Sequence, residues 1–535
     1  MTLSRRLLLA SPFAMPWVRL ATAQPARVLS VLHQNDFHSQ HEPVDRGGAA
    51  CRGPQGCAGG SARLATLLAA ERRAVAALGQ AHIMLDAGDQ FMGSLFYTHW
   101  RGDAELAVLH ALGIDAMAVG NHEFDHGPAN FARFVREARF PVLGANIDAA
   151  AEPALAGLLR RSVVLTRGEH RIGVLGLTTP DTPGISSPGP RVRFLAPVRA
   201  AQEAVEALRE AGATTVIALS HLGLAADRAL ARATRGIDLV VGGHSHTLLA
   251  NSVAGAPFPC PVVETAADGR AVPIVQAGAN GRYLGRLDLA VDASGRAVAF
   301  AGDAREITLD TQEDPEVAAL VARLAAPIEA TRRKPVGQLA AEATPAGCRV
   351  GECALGNLVA EAMLEAARPA GAEIAITNAG GLRAPLRAGA VTLGDVLAVL
   401  PFSNTLATFR LSGAELRAAI EHGISGPADG SGPGRFPQVA GLAFRFDPRR
   451  PAGARLLALE RVGPDGQASP IDDAAEYRIV SNNFLRQGGD GYAVFRDRAL
   501  DAYDTGPLME EAMAAFFATH PEATPRTDGR ISRQD

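Results

Sequence analysis

The chain alternates short, nearly continuous apolar runs with longer stretches in which apolar residues recur at helical spacing. The runs at 28–32, 83–85, 116–119, 216–219 and 239–241 are too short for helices and carry almost no polar residue. Strands covered on both faces give that pattern. Between them, 62–76, 104–112 and 200–211 read as amphipathic helices rich in Ala, Leu and Arg. This alternation continues to about residue 300 and predicts an α/β domain. Asp314-Pro315-Glu316 then starts a helix with proline just inside it; Pro327 kinks it and Pro335-Val336-Gly337 ends it. We read 313–335 as a connector. The remainder mixes helices with strands such as 374–377 and 477–480, a second and smaller α/β unit. Two Gly/Pro-rich stretches, 183–190 and 425–434, predict surface loops.

Length agrees with two units, since 535 residues exceed what one ordinary core holds. With 47% hydrophobic and 20% charged residues, the balance is that of a globular protein with substantial cores. A formal charge of -4 and the lack of a basic stripe argue against duplex nucleic acid as a partner. Beyond the N-terminus no apolar run reaches the roughly 20 residues of a membrane span, so no transmembrane anchor is expected in the mature chain. The first 23 residues read as an export signal: Ser4-Arg5-Arg6, then Leu7-Leu8-Leu9-Ala10, then Ala21-Thr22-Ala23 before Gln24. The paired arginines fit the twin-arginine route, with an ordinary Sec signal as the alternative. A periplasmic or secreted protein is expected. Five cysteines suit an oxidising compartment; Cys51 with Cys57, and Cys348 with Cys353, can each close a short loop, which leaves Cys260 as a buried or free thiol.

Candidate chemistry lies where the strands end. The run at 28–32 is followed by Asp36-Phe37-His38, and 83–85 by Asp86-Ala87-Gly88-Asp89. The run at 116–119 leads into Gly120-Asn121-His122-Glu123-Phe124-Asp125. The last two runs end at Ser220-His221 and at Gly242-Gly243-His244-Ser245-His246. Each fragment alone is commonplace; five in order, each ending a buried run, place oxygen and imidazole ligands at one edge of an open sheet. Two neighbouring cations repel, so a shared carboxylate must lie between them, and Asp89 is the candidate bridge. Asp36, His38 and His246 complete one site, and Asn121, His221 and His244 the other. Such a donor set suits zinc or manganese first, with iron or cobalt as alternatives, better than calcium or magnesium. Two such ions clamp a phosphoryl group for in-line displacement. His122, three residues before Asp125, is placed to stabilise phosphoryl oxygens or assist the leaving group as an Asp-oriented imidazolium.

These fragments resemble the calcineurin-like metallophosphoesterases, and nearly the whole mature chain is similar to the secreted bacterial and animal 5′-nucleotidase family. The resemblance implies a four-layer α/β/β/α metallophosphoesterase sandwich over 24–312, the connecting helix, and a nucleotide-binding domain over 336–535 that rotates to deliver substrate. It assigns Asp36, His38, Asp89, Asn121, His221, His244 and His246 as ligands, and His122 with Asp125 as the catalytic dyad. His33, His41 and His126 match no ligand position.

The second half would choose the substrate. Phe402 and Phe484 can sandwich a base, worth roughly 1–3 kcal/mol; Asp490 can accept from ribose hydroxyls; Arg349 and Arg383 can fork onto phosphate oxygens. Without context the phenylalanines could equally be core residues and the arginines surface ion pairs. The resemblance favours binding roles for Arg349, Asn378, Arg383, Phe402, Phe484 and Asp490. It implies an enzyme releasing phosphate from nucleoside 5′-monophosphates, with nucleoside diphosphates and UDP-sugars as further substrates. The alternatives are a 2′,3′-cyclic nucleotide phosphodiesterase/3′-nucleotidase, a thiosulfohydrolase-like enzyme, or a non-catalytic binding protein on the same scaffold. No Gly-x-Ser-x-Gly elbow, phosphate-binding P-loop or dinucleotide fingerprint competes.

Overall fold

The computed structural model describes residues 18–19, 27–45, 51, 56–402, 404–427, 434–504 and 506–534. Of residues 1–23, expected from the sequence to be an export signal, only the backbone of Val18 and Arg19 falls within these; it pairs with Phe300 and Ala299. The rest of that segment, and 428–433 of the second Gly/Pro-rich stretch, lie outside the described residues.

Beside a two-stranded ribbon of Ile147–Asp148 and Arg193–Phe194, the first half contains two large sheets. Their strands are β1 (Arg27–Gln34), β2 (Ala81–Asp86), β3 (Ala116–Ala118), β4 (Val142–Leu143), β5 (Ser162–Arg167), β6 (His170–Thr178), β7 (Thr215–His221), β8 (Leu239–Val241), β9 (Val262–Thr265), β10 (Ala271–Val275), β11 (Tyr283–Val291) and β12 (Ala297–Glu306). One sheet runs β12-β11-β1-β2-β3-β4, the other β9-β10-β8-β7-β6-β5. All five predicted runs are strands, paired in parallel within their sheets as β1 with β2, β2 with β3, and β7 with β8.

Burial explains the apolar runs. Leu29 and Val31 of β1 pack with Ile217, Leu219 and Val240 of the other sheet, while Leu32 faces the helices outside, against Leu64, Leu109 and Phe131. Helix Pro197–Glu210 covers the second sheet with Ala201, Val205 and Leu208. The result is the four-layer α/β/β/α stack that the resemblance implied. The antiparallel hairpin β11–β12 and the strands β4, β5, β6, β9 and β10 add to the predicted set.

Asp314 caps helix Pro315–Ala325 through its Oδ1, which accepts from the Glu316 and Val317 amides at 3.0 Å each. At Pro327 the helix tightens to a 3-10 turn over Ala326–Ile328, as the proline predicts, then runs Glu329–Arg332. Pro335–Leu339 is already a strand of the second domain. That smaller domain is built on a five-stranded sheet of Pro437–Ala440, Ile374–Asn378, Glu476–Asn482, Leu406–Ser412 and Leu500–Tyr503, in that order. The Cys51–Cys57 and Cys348–Cys353 disulfides are both formed, and Cys260 is a buried free thiol.

One expectation needs correction. Stretch 183–190 is not simply a surface loop: Thr182–Ile185 form a helical turn, and Thr182, Ser186 and Pro188 are buried.

Candidate metal centre

Strand ends of both sheets converge on one buried cluster. Asp36, His38 and His246 offer ligand atoms within 4.8 Å of one another, as do Asp89, His221 and His244, and Asp89 also lies within that reach of His38 and His122. The seven candidate ligands therefore meet, with Asp89 between the two groups. His221 Nε2 stands 3.1 Å from Asp89 Oδ2 and 3.9 Å from Asp36 Oδ1; His246 Nε2 is 3.5 Å from Asp36 Oδ1. Asn121 Oδ1 completes the second group, 2.9 Å from His244 Nδ1.

The donor atoms fit divalent metals. His38 Nδ1–H donates to the Phe91 carbonyl at 3.2 Å and His221 Nδ1–H to the Ala87 carbonyl at 2.7 Å, which turns each Nε2 toward the centre. The Nε2 atoms of His38 and His246 are 2.9 Å apart. Burial brings His38 and His244 down to about 3 and His246 well below the usual histidine range, so these rings are neutral, the form that binds metal. Burial alone would raise Asp89, but the positive charges of His221 and His122 hold it well below the usual carboxylate range. Burial pushes Asp36 up to about 7, and although burial opposes charge on His221, Asp89 and Asp36 raise it to about 10, so the cluster holds protons where divalent cations would compensate its carboxylates.

The backbone is bent to deliver these groups. Asp36, His38, Asp89, His244 and His246 have φ of 48°, 51°, 56°, 71° and 54°, in the left-handed region. Each costs an L-residue roughly 1–2 kcal/mol and persists only where the surroundings enforce it. Around Asp89 the enforcing group is Glu123, fully buried, whose carboxylate accepts from the amides of Gly120, Asp89 and Gln90 at 2.6, 3.1 and 2.8 Å. Asn35 does the same for Asp36, donating from Nδ2 to Asp36 Oδ2 at 2.7 Å and to the Gly278 carbonyl at 2.6 Å. Glu123 stands inside one of the sequence fragments and Asn35 immediately before another, yet nothing in their spacing marked them.

His122 Nδ1–H donates to Asp125 Oδ2 at 2.5 Å, and its Nε2 lies 4.0 Å from Asp89 Oδ2. Burial opposes charge on His122, but Asp125 and Asp89 outweigh it and raise its pKa. His41, by contrast, is tied to Ser61, and His126 to Tyr97, outside the cluster.

From the second domain, Arg349 and Arg383 join His38 and His246 in lining an interdomain cavity of about 840 Å³. The Phe402 ring stacks on His122, centroids 5.7 Å apart and planes at 24°, and the Arg383 guanidinium also lies 5.7 Å from the Phe402 centroid. Asn378 Nδ2 donates to Asp490 Oδ2 at 2.7 Å, and Asn482 Nδ2 to Asn378 Oδ1 at 3.1 Å. Asp490 has φ of 52° between Gly489 and Gly491. Phe484 lies over Gly489, where a Cβ would come within 2.6 Å of the ring. The two phenylalanines are anchored differently: Phe402 packs on the first domain's core, Phe484 on the second's.

Comparison with known proteins follows this division. The family model described as calcineurin-like phosphoesterase matches residues 29–248, and that described as 5′-nucleotidase, C-terminal domain, matches 335–497. The chain is similar to the 5′-nucleotidase of Bos taurus, 32% identical over 97% of this chain and 92% of that one. Among solved structures, a 5′-nucleotidase precursor of Thermus thermophilus superimposes with a TM-score of 0.88, at 38% identity over 95% of this chain and 99% of that one. A Thermus thermophilus sulfate thiohydrolase shares the fold alone, with a TM-score of 0.75 at 21% identity over 96% and 98% of the two chains.

Proposed function

The chain belongs to the 5′-nucleotidase family and is a nucleotide phosphohydrolase; from that premise we propose that it releases inorganic phosphate from nucleoside 5′-monophosphates at a two-metal centre outside the cytoplasm. The observation that carries this reading is the convergence of six further candidate donors around Asp89, faced by Arg349 and Arg383 across the cleft. Asp36, His38 and His246 would hold one ion, Asn121, His221 and His244 the other, and Asp89 both, zinc or manganese being the best match to the donors, iron or cobalt next. Bound there, the ions would supply charge neutralisation and a lowered pKa of bound water.

The chain's own residues do the rest. Arg349 and Arg383 orient the phosphate against the centre. Asp125 fixes the Nδ1–H of His122, so that Nε2 faces the phosphoryl group and can donate to its oxygens or to the departing 5′-oxygen. Phe402 and Phe484 hold the base and Asp490, steadied by Asn378, the ribose. The cavity beside the two arginines leaves room for a second substituent on the phosphorus, in keeping with nucleoside diphosphates and UDP-sugars as further substrates. Both short-loop disulfides support a periplasmic or secreted location.

Phosphate release from AMP, UMP, ADP, UDP-glucose, 3′-AMP and 2′,3′-cyclic AMP tests the assignment. The 5′-monophosphates should give the highest kcat/KM; preference for the cyclic or 3′ esters would replace this reading with the phosphodiesterase one. For Phe402→Ala, KM toward AMP should rise about 5- to 150-fold, the equivalent of a lost stacking contact of about 1–3 kcal/mol. Equal damage toward a simple aryl phosphate would mean that Phe402 serves His122, on which it stacks, rather than the base.

A further inference from the structure

We propose that Ser186 is a positioning residue of the reaction, fixing Asp125 and through it the ring of His122; the inference rests on the catalytic role given to His122 above. Asp125 has two carboxylate oxygens and both are committed. Oδ2 accepts from His122 Nδ1–H and Oδ1 from Ser186 Oγ–H, each at 2.5 Å. A carboxylate held at one oxygen can swing about its broad terminal torsion; held at both, its plane is set, and so is the direction in which His122 points.

Ser186 is delivered for this contact from 61 residues away in the sequence. Its amide donates to the Thr182 carbonyl at 2.9 Å. Thr182 Oγ1–H donates to the Thr179 carbonyl at 2.7 Å, and the Thr179 amide to the carbonyl of candidate ligand His221 at 3.0 Å. An unbroken series of hydrogen bonds therefore joins the His221 backbone to the His122 ring. The turn Thr182–Ile185 also lies beside Gly489–Gly491 of the second domain, so the serine is buried where the nucleoside-binding segment meets the dyad. A solvent-facing serine that merely capped a turn would need none of this anchoring.

The test compares Ser186→Ala, Ser186→Thr, His122→Ala and the Ser186→Ala/His122→Ala double variant, with kcat and KM for AMP and bound metal measured on each. Ser186→Ala should lower kcat about ten-fold, the lower end of what outer partners of such sites contribute, with KM within about two-fold and metal content unchanged. Ser186→Thr, which keeps the hydroxyl, should retain most of the rate. In the His122→Ala background the serine substitution should change nothing further, because residues acting as one unit are not additive. Wild-type kcat in Ser186→Ala beside an inactive His122→Ala would overturn this inference alone. The same fold-loss with and without His122, or loss of metal from Ser186→Ala, would also overturn it, since the serine would then act elsewhere. Wild-type kcat in His122→Ala would remove the dyad's role and this inference with it.

Discussion

Replacing His122 with alanine should lower kcat by about 10²–10⁴-fold, the range supplied by a positioned acid or base, while the protein keeps its full metal complement. The separation follows from where the side chain sits. His122 is one residue after candidate ligand Asn121, at the start of a 3-10 turn, with Phe402 of the second domain stacked on its ring and its Nε2 4.0 Å from Asp89 Oδ2. Its Nδ1 is taken by Asp125, its face by Phe402, and only Nε2 is directed at the centre. His38, His221, His244 and His246 would still surround the ions in the variant. Metal content per chain, measured alongside kcat for AMP, checks both halves at once. A His122→Ala protein with wild-type turnover would refute the assigned role; one that loses metal in proportion to activity would make His122 a ligand.

Much of this site was legible before any fold was seen, for a local reason. A candidate ligand placed at the end of a buried strand sits next to an apolar run in sequence, so Asp36, Asp89, Asn121, His221 and His244 stand out by position. The residues that hold those ligands in place do not. Glu123 gathers the amides of the Asp89 loop once the neighbouring strands β2 and β3 of one sheet have paired, and Ser186 reaches Asp125 across 61 positions once the two sheets are stacked. The Gly/Pro composition of 183–190 predicted a surface loop and concealed the helical turn Thr182–Ile185 and the burial of Ser186 and Pro188. Likewise the left-handed backbone at Asp36, His38, Asp89, His244 and His246 could not be read from residue type, since none of them is glycine. In the second domain the chemistry of Arg349, Asn378, Arg383 and Asp490 was visible. The stack of Phe402 on His122 was not, because it joins two domains.

Asp89→Asn should be the more complete loss, because it removes metal as well as rate. The Asp89 carboxylate reaches both imidazole groups, 3.1 Å from His221 Nε2 and 4.0 Å from His38 Nε2. Two dications a few ångströms apart repel strongly in a buried site, and a neutral amide shared between them cannot offset that. The substituted side chain would also sit in the same left-handed conformation, which asparagine tolerates, so the loop held by Glu123 should survive and the defect should be electrostatic rather than conformational. The expected result is fewer than two metal equivalents per chain after gel filtration and a fall in kcat/KM of at least about 10³-fold, with circular dichroism unchanged. Chelator-treated wild-type protein should be equally inactive and should recover on addition of zinc or manganese, whereas the variant should not recover at the same metal concentration. Two equivalents retained at wild-type rate in Asp89→Asn would remove the bridge from the scheme. Activity surviving exhaustive chelation, with metal shown to be gone, would remove the metals themselves.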